Sequence, residues 1–174
     1  AATAAECRKL VMAQGWEPYG SAGDTAYFKR NAVQLQITVS SAPAQGGKTM
    51  ISYLSEQMSA DIPLPPDAED PRYTDMFRRL TFDAAGPKDA VVSSYKAAAS
   101  KSGWKANREE TFRQDDKDVL VFRNPGGDML WMEIKAGAGD MSSVSLRYQT
   151  GAEIAAMEKK ADERAADYKA KRQA

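Results

Sequence analysis

Histidine is absent from this chain, and cysteine occurs once, at position 7. The first absence removes the imidazole on which most nucleophilic hydrolases and many metal sites depend, so neither a Ser-His-Asp nor a Cys-His arrangement can form. The second excludes an internal disulfide and leaves intracellular and extracytoplasmic settings both open. No apolar run approaches the ~20 residues that a membrane-spanning helix needs. Neither sign of charge is in surplus, since Lys plus Arg and Asp plus Glu each number 24. By segment, residues 1–58 carry 5 basic and 4 acidic side chains, 59–149 carry 13 and 15, and 150–174 carry 6 and 5. Neutralising many phosphates requires a basic excess, so nucleic acid is not an expected partner.

What is present is self-similarity. The dipeptides Gly15-Trp16 and Gly103-Trp104 are separated by 103 minus 15, or 88, residues. Each closes a helical pattern. In residues 89–102 the apolar stripe is Ala90, Val91, Tyr95, Ala98 and Ala99; in 3–14 it is Cys7, Leu10 and Val11, with Gln14 before the glycine. Three strand-like segments follow each helix. After the first they are 25–30, 33–40 and 49–55, with Val33, Leu35, Ile37 and Val39 alternating against Gln34, Gln36, Thr38 and Ser40 as in a half-buried strand. After the second they are 118–123, 129–136 and 142–149, joined by the glycine- and aspartate-rich turns 125–128 and 137–140.

The second set has a lead-in that the first lacks. Residues 61–67 (DIPLPPD) are expected to be extended, because a residue preceding proline avoids helix, and an apolar strand follows at Leu80, Thr81 and Phe82. The expected architecture is therefore α+β: two tandem copies of a helix packed on an antiparallel meander of three to four strands, 1–58 and 59–149. The first copy's lead strand is expected to precede Ala1 or not to exist, which would leave a sheet edge unpaired. Residues 150–174, rich in Ala, Lys, Glu and Arg, should form a C-terminal helix with a thin stripe of Ile154, Met157, Ala161, Ala165 and Tyr168, and an Asp167 with Lys171 pair. That helix can dock or remain solvated.

Few residues suggest chemistry. Cys7 on an apolar helix face is best read as a small buried hydrophobe. Gly46-Gly47-Lys48-Thr49 resembles the end of a phosphate-binding loop, but it lacks the earlier glycine and precedes a strand, so it is expected to be a hairpin turn. The acidic groups Asp67, Glu69 and Asp70, and Asp115, Asp116 and Asp118, lack EF-hand spacing and suit turns. No metal or cofactor is expected.

Trp131 is more informative. Leu130, Met132 and Ile134 alternate with it and should face the helix, which turns Trp131 outward beside Glu133 and Lys135; neighbouring strands add Arg123, Arg147 and Gln149. An outward sheet face with an aromatic and arginines can stack bases, bind a protein, or be covered by the rest of the chain. A protein partner is expected at Trp131, Arg123, Lys135 and Arg147. Trp16 and Trp104 should instead be core anchors.

The run 62–68 (IPLPPDA), residues 80–82, Ser102-Gly103-Trp104 and residues 119–123 together resemble uncharacterised, mostly envelope-associated bacterial domains with a proline-rich lead-in, a strand, a helix ending in Gly-Trp, and a meander. The order of elements is also similar to the tandem helix-on-sheet domains of a lipoprotein in the outer-membrane β-barrel assembly machine. The resemblance implies a noncatalytic scaffold or adaptor and an extracytoplasmic location, with the cytoplasm left open. The alternative is a small-ligand or metal-binding protein using the cleft between the two copies.

Overall fold

Apolar alternation and turn chemistry divide the chain into helices and strands in a computed structural model that describes the backbone of residues 2–173 and the side chains of 3–166 and 168. The first elements are α1 (Ala2–Ala13), β1 (Glu17–Ala22), β2 (Thr25–Arg30), β3 (Val33–Ala42) and β4 (Lys48–Gln57). Then come β5 (Ala68–Thr74), β6 (Arg79–Ala85), α2 (Lys88–Lys101), β7 (Lys105–Ala106), β8 (Phe112–Gln114), β9 (Lys117–Arg123), β10 (Met129–Ala136), β11 (Met141–Gln149) and α3 (Gly151–Gln173). The molecule is α+β with two antiparallel sheets. One runs β1-β2-β3-β4; the other runs β5-β6-β11-β10-β9-β7, with β8 also on β9.

Each sheet buries one face. The larger core places Val91, Val92, Tyr95 and Ala99 of α2 over Leu80, Phe82, Leu120, Phe122, Leu130, Met132, Val144 and Leu146. Full burial of such side chains stabilises by about 1.5–3 kcal/mol each. The smaller core sets Cys7, Val11 and Trp16 against Ala26, Phe28, Leu35, Ile37 and Val39. The helix stripes differ slightly from expectation: Ala90 and Gln14 are exposed, and Leu10 is 59% exposed. The first sheet beneath α1 has room for Cys7 and Val11, and Leu10 falls on the flank.

Both helices turn out in the same way. Gly15 and Gly103 each have φ +80, a left-handed conformation that glycine adopts without a Cβ penalty. The Trp16 N–H donates to the Val11 carbonyl at 3.4 Å, and the Trp104 N–H to the Ala99 carbonyl at 3.0 Å. Trp104 is a core residue, whereas Trp16 is half-buried under the Arg30 guanidinium at 4.8 Å.

The expected meanders omitted β1, β5, β7 and β8. Pro18, Gly20 and Pro71 remove donors or side chains from β1 and β5 and so disguise them as loops. β1 has a bulge between Pro18 and Gly20. Tyr19, at the bulge, is buried in the larger core, and its hydroxyl donates to the Ile62 carbonyl at 3.0 Å. The Lys29 ammonium, also buried, donates to Asp61 at 2.6 Å and to the same carbonyl at 3.0 Å. The proline-rich lead-in is thus packed: Ile62, Pro63 and Pro65 are buried.

A capping box starts α3: the Glu153 N–H donates to Thr150 Oγ1 at 3.2 Å, and the Thr150 N–H to Glu153 Oε2 at 2.9 Å. Ile154, in the first turn, is buried, whereas Met157, Ala161, Ala165 and Tyr168 are exposed. The expected Asp167 with Lys171 pair lies outside the described side chains.

Candidate interaction face

In antiparallel pairs, directly opposed residues share a face, so one register fixes the whole surface. On β10, Leu130, Met132 and Ile134 enter the core, which turns Met129, Trp131, Glu133 and Lys135 outward. Trp131 is opposed by Arg147 on β11, and Arg147 by Arg79 on β6. Arg123 is opposed by Met129, and Lys135 by Ser143. All four residues expected at the site therefore lie on one face, the one opposite α2. They do not form one cluster. Trp131 and Arg147 line a groove of about 340 Å³ with Arg79, Gln114, Lys117 and Glu133. Lys135 borders an adjoining hollow of about 210 Å³ that shares Arg79, Lys117 and Glu133. Arg123 is exposed at the β9–β10 hairpin, outside both.

Trp131 is braced by an aromatic neighbour from β8. Its ring meets the edge of Phe112 at 6.1 Å, and the Arg108 guanidinium lies 5.0 Å from the Phe112 ring. Phe112 opposes Val119 across the β8–β9 pair, and Val119 and Val121 are buried although they belong to the outward set. β8 thus places an apolar patch beside the indole, at the border of the groove. The other wall is basic. Lys117 donates to Glu133 Oε2 at 2.8 Å, and this bond, foremost, raises the lysine pKa. Arg79 Nε donates to Ser145 Oγ at 2.8 Å. Against one carboxylate, the groove presents Arg79, Lys117 and Arg147. Sequence reasoning missed Arg79 and Lys117. Extending the alternation one residue before Leu80, and one before Asp118, would have found both.

Two of the acidic residues considered as ion ligands have other partners. Asp118 receives Lys88, and Arg113 lies 3.9 Å away. Asp67 accepts from Ser94 at 2.9 Å. Among the described residues no group of three or more His, Cys, Asp or Glu could hold a metal ion. Cys7 is half-buried in the smaller core. Gly46 and Gly47 turn the chain from β3 into β4. Among the described residues no helix is long and apolar enough to cross a membrane.

A second concavity, of about 640 Å³, lies where the two sheets meet. It is lined by Arg8, Glu17 and Lys29 from the first sheet's side, and by Pro63, Leu64 and Lys101 from the other. Comparison with family models, with curated proteins and with solved structures finds no match.

Proposed function

We propose that this chain is a noncatalytic protein-interaction module, built from two copies of one α+β unit, that uses the outward face of its second sheet to hold a protein partner. The observation that carries the proposal is the groove around Trp131: a half-buried indole in an otherwise polar groove, flanked by Arg79, Lys117 and Arg147. Tryptophan and arginine are the side chains that most often dominate binding energy at protein contacts. The excess of cations in the groove suits an acidic segment with an aromatic or apolar anchor. The duplication is supported by the matching Gly-Trp corners and by strand order, since β4-β3-β2-β1 runs parallel in sequence logic to β11-β10-β9-β7. With the resemblance of the 62–68 lead-in, the proposal extends to a subunit or adaptor of an extracytoplasmic bacterial assembly. Purification of the native full-length protein from its own cells should retain a stoichiometric partner that Arg147→Glu releases. A partner-free native protein would sink the proposal.

The cleft at the sheet junction favours a second reading, a small-ligand-binding protein, because its volume falls within the range of ligand pockets. Thermal-shift screening against metabolites and metal ions separates the two, since a ligand of the folded state must raise its melting temperature.

A further inference from the structure

β4 is the outer strand of the first sheet, and all ten of its residues are exposed. Such an edge presents unpaired N–H and C=O groups, which proteins ordinarily blunt with charge, proline or a bulge. The central stretch 50–54 has no charge and no proline, and its register with β3 is unbroken. Met50, Ile51, Tyr53 and Leu54 are 49%, 38%, 63% and 51% exposed. Charge is confined to the ends, at Lys48 and Glu56, and neither has an ion-pair partner among the described residues.

The strand is its own complement. An antiparallel pair related by a two-fold axis at Ser52 sets Lys48 opposite Glu56, Met50 opposite Leu54, and Ile51 opposite Tyr53. Moving the axis by one residue in either direction loses both ion pairs. The pairing also respects the faces, because opposed residues share one. Ile51 and Tyr53 oppose Val39 and Ile37, which pack beneath α1, so both copies keep their helices on the same side. Leu10 supports this placement. Arg8 borders β1 at Glu17 and Pro18, and Leu10 lies about 200° from it round the helix, on the flank nearer β4. A zero formal net charge leaves no long-range repulsion between copies.

We infer that β4 pairs with β4 of a second copy of this chain, antiparallel and centred on Ser52, joining two four-stranded sheets into one with both α1 helices on one side. The second sheet shows what an added strand does at such an edge. There β6 lies along β11 and turns Leu80, Phe82 and Ala84 inward. The inference concerns the first sheet alone and stands apart from the groove at Trp131.

Light scattering on the eluting full chain across a concentration series tests it. The expected mass is that of a dimer. Lys48→Glu and Glu56→Lys should each weaken dimerisation about tenfold, because each replaces two opposite-charge pairs with two like-charge pairs, and the charge-swapped double variant should recover most of the loss. Ser52→Cys should oxidise to a covalent dimer linked through position 52, since opposed Cα atoms about 4.5–5.5 Å apart fit a disulfide. A chain that stays monomeric to about 100 µM would overturn the inference. So would a double variant no better than either single one, or a disulfide that forms only through Cys7.

Discussion

Tyr95 is fully buried between Phe82, at 6.3 Å, and Phe122, at 5.3 Å, and its hydroxyl has no hydrogen-bond partner among the described residues. A buried hydroxyl that gives up water without replacing it costs about 1–3 kcal/mol. Tyr95→Phe keeps the ring and removes that cost, so chemical denaturation should show stability unchanged or raised by about 1 kcal/mol. Asp128 is the opposite case. Its Oδ2 accepts from Asn124 at 2.9 Å and from the Tyr148 hydroxyl at 2.8 Å, and its Oδ1 accepts from the Gly151 N–H at 2.9 Å. Desolvation pushes this carboxyl up, but the three hydrogen bonds outweigh it and hold it below the ordinary carboxylate range. Partial burial, aided by the bond to Asp128, pushes the Tyr148 hydroxyl up to about 12. A carboxyl that ionises more readily folded than unfolded contributes fully above the unfolded value, near pH 4, and less as pH falls through the folded one. Asp128→Ala should therefore cost about 1–2 kcal/mol at pH 7, and the difference from wild type should shrink at pH 3. Urea midpoints at the two values measure both.

At the scale of elements, legibility followed side-chain pattern. β3 alternates apolar with polar from Val33 to Ser40, and on β10 Leu130, Met132 and Ile134 recur at every second position, so both were legible from that alone. β1 and β5 were not, because Pro18, Gly20 and Pro71 break alternation where the two strands approach each other. A Cβ on Gly20 would lie 2.5 Å from the Pro71 carbonyl oxygen, and its φ of +145 disfavours any L side chain. What looked like a loop in the sequence is a contact that only glycine permits. Gly20→Ala should lower stability by about 2 kcal/mol or more, with the loss seen in the melting temperature. Hydrogen exchange should place the loosened amides in β1 and β5. The extended form of the lead-in is legible from its prolines, but its burial depends on Tyr19 and Lys29, which come from 43 and 33 residues earlier. No local pattern carries such a contact.

For the whole molecule, parity placed Trp131, Arg123, Lys135 and Arg147 on one face, but it could not rank them. Register does so: Arg147 joins Trp131 in the groove, Lys135 belongs to the adjoining hollow, and Arg123 stands apart. Arg79 enters through the β6–β11 pair, a neighbour 68 positions away from Arg147 in sequence and one strand away in space. The central claim is that this groove holds a protein, and site-specific photocrosslinking from position 131 in the native cells tests it most directly. Irradiation should yield one discrete protein adduct that Arg147→Glu suppresses and that a probe at the exposed position Leu10, on α1, does not produce. Equal adducts from both probes, or none from position 131, would contradict the account.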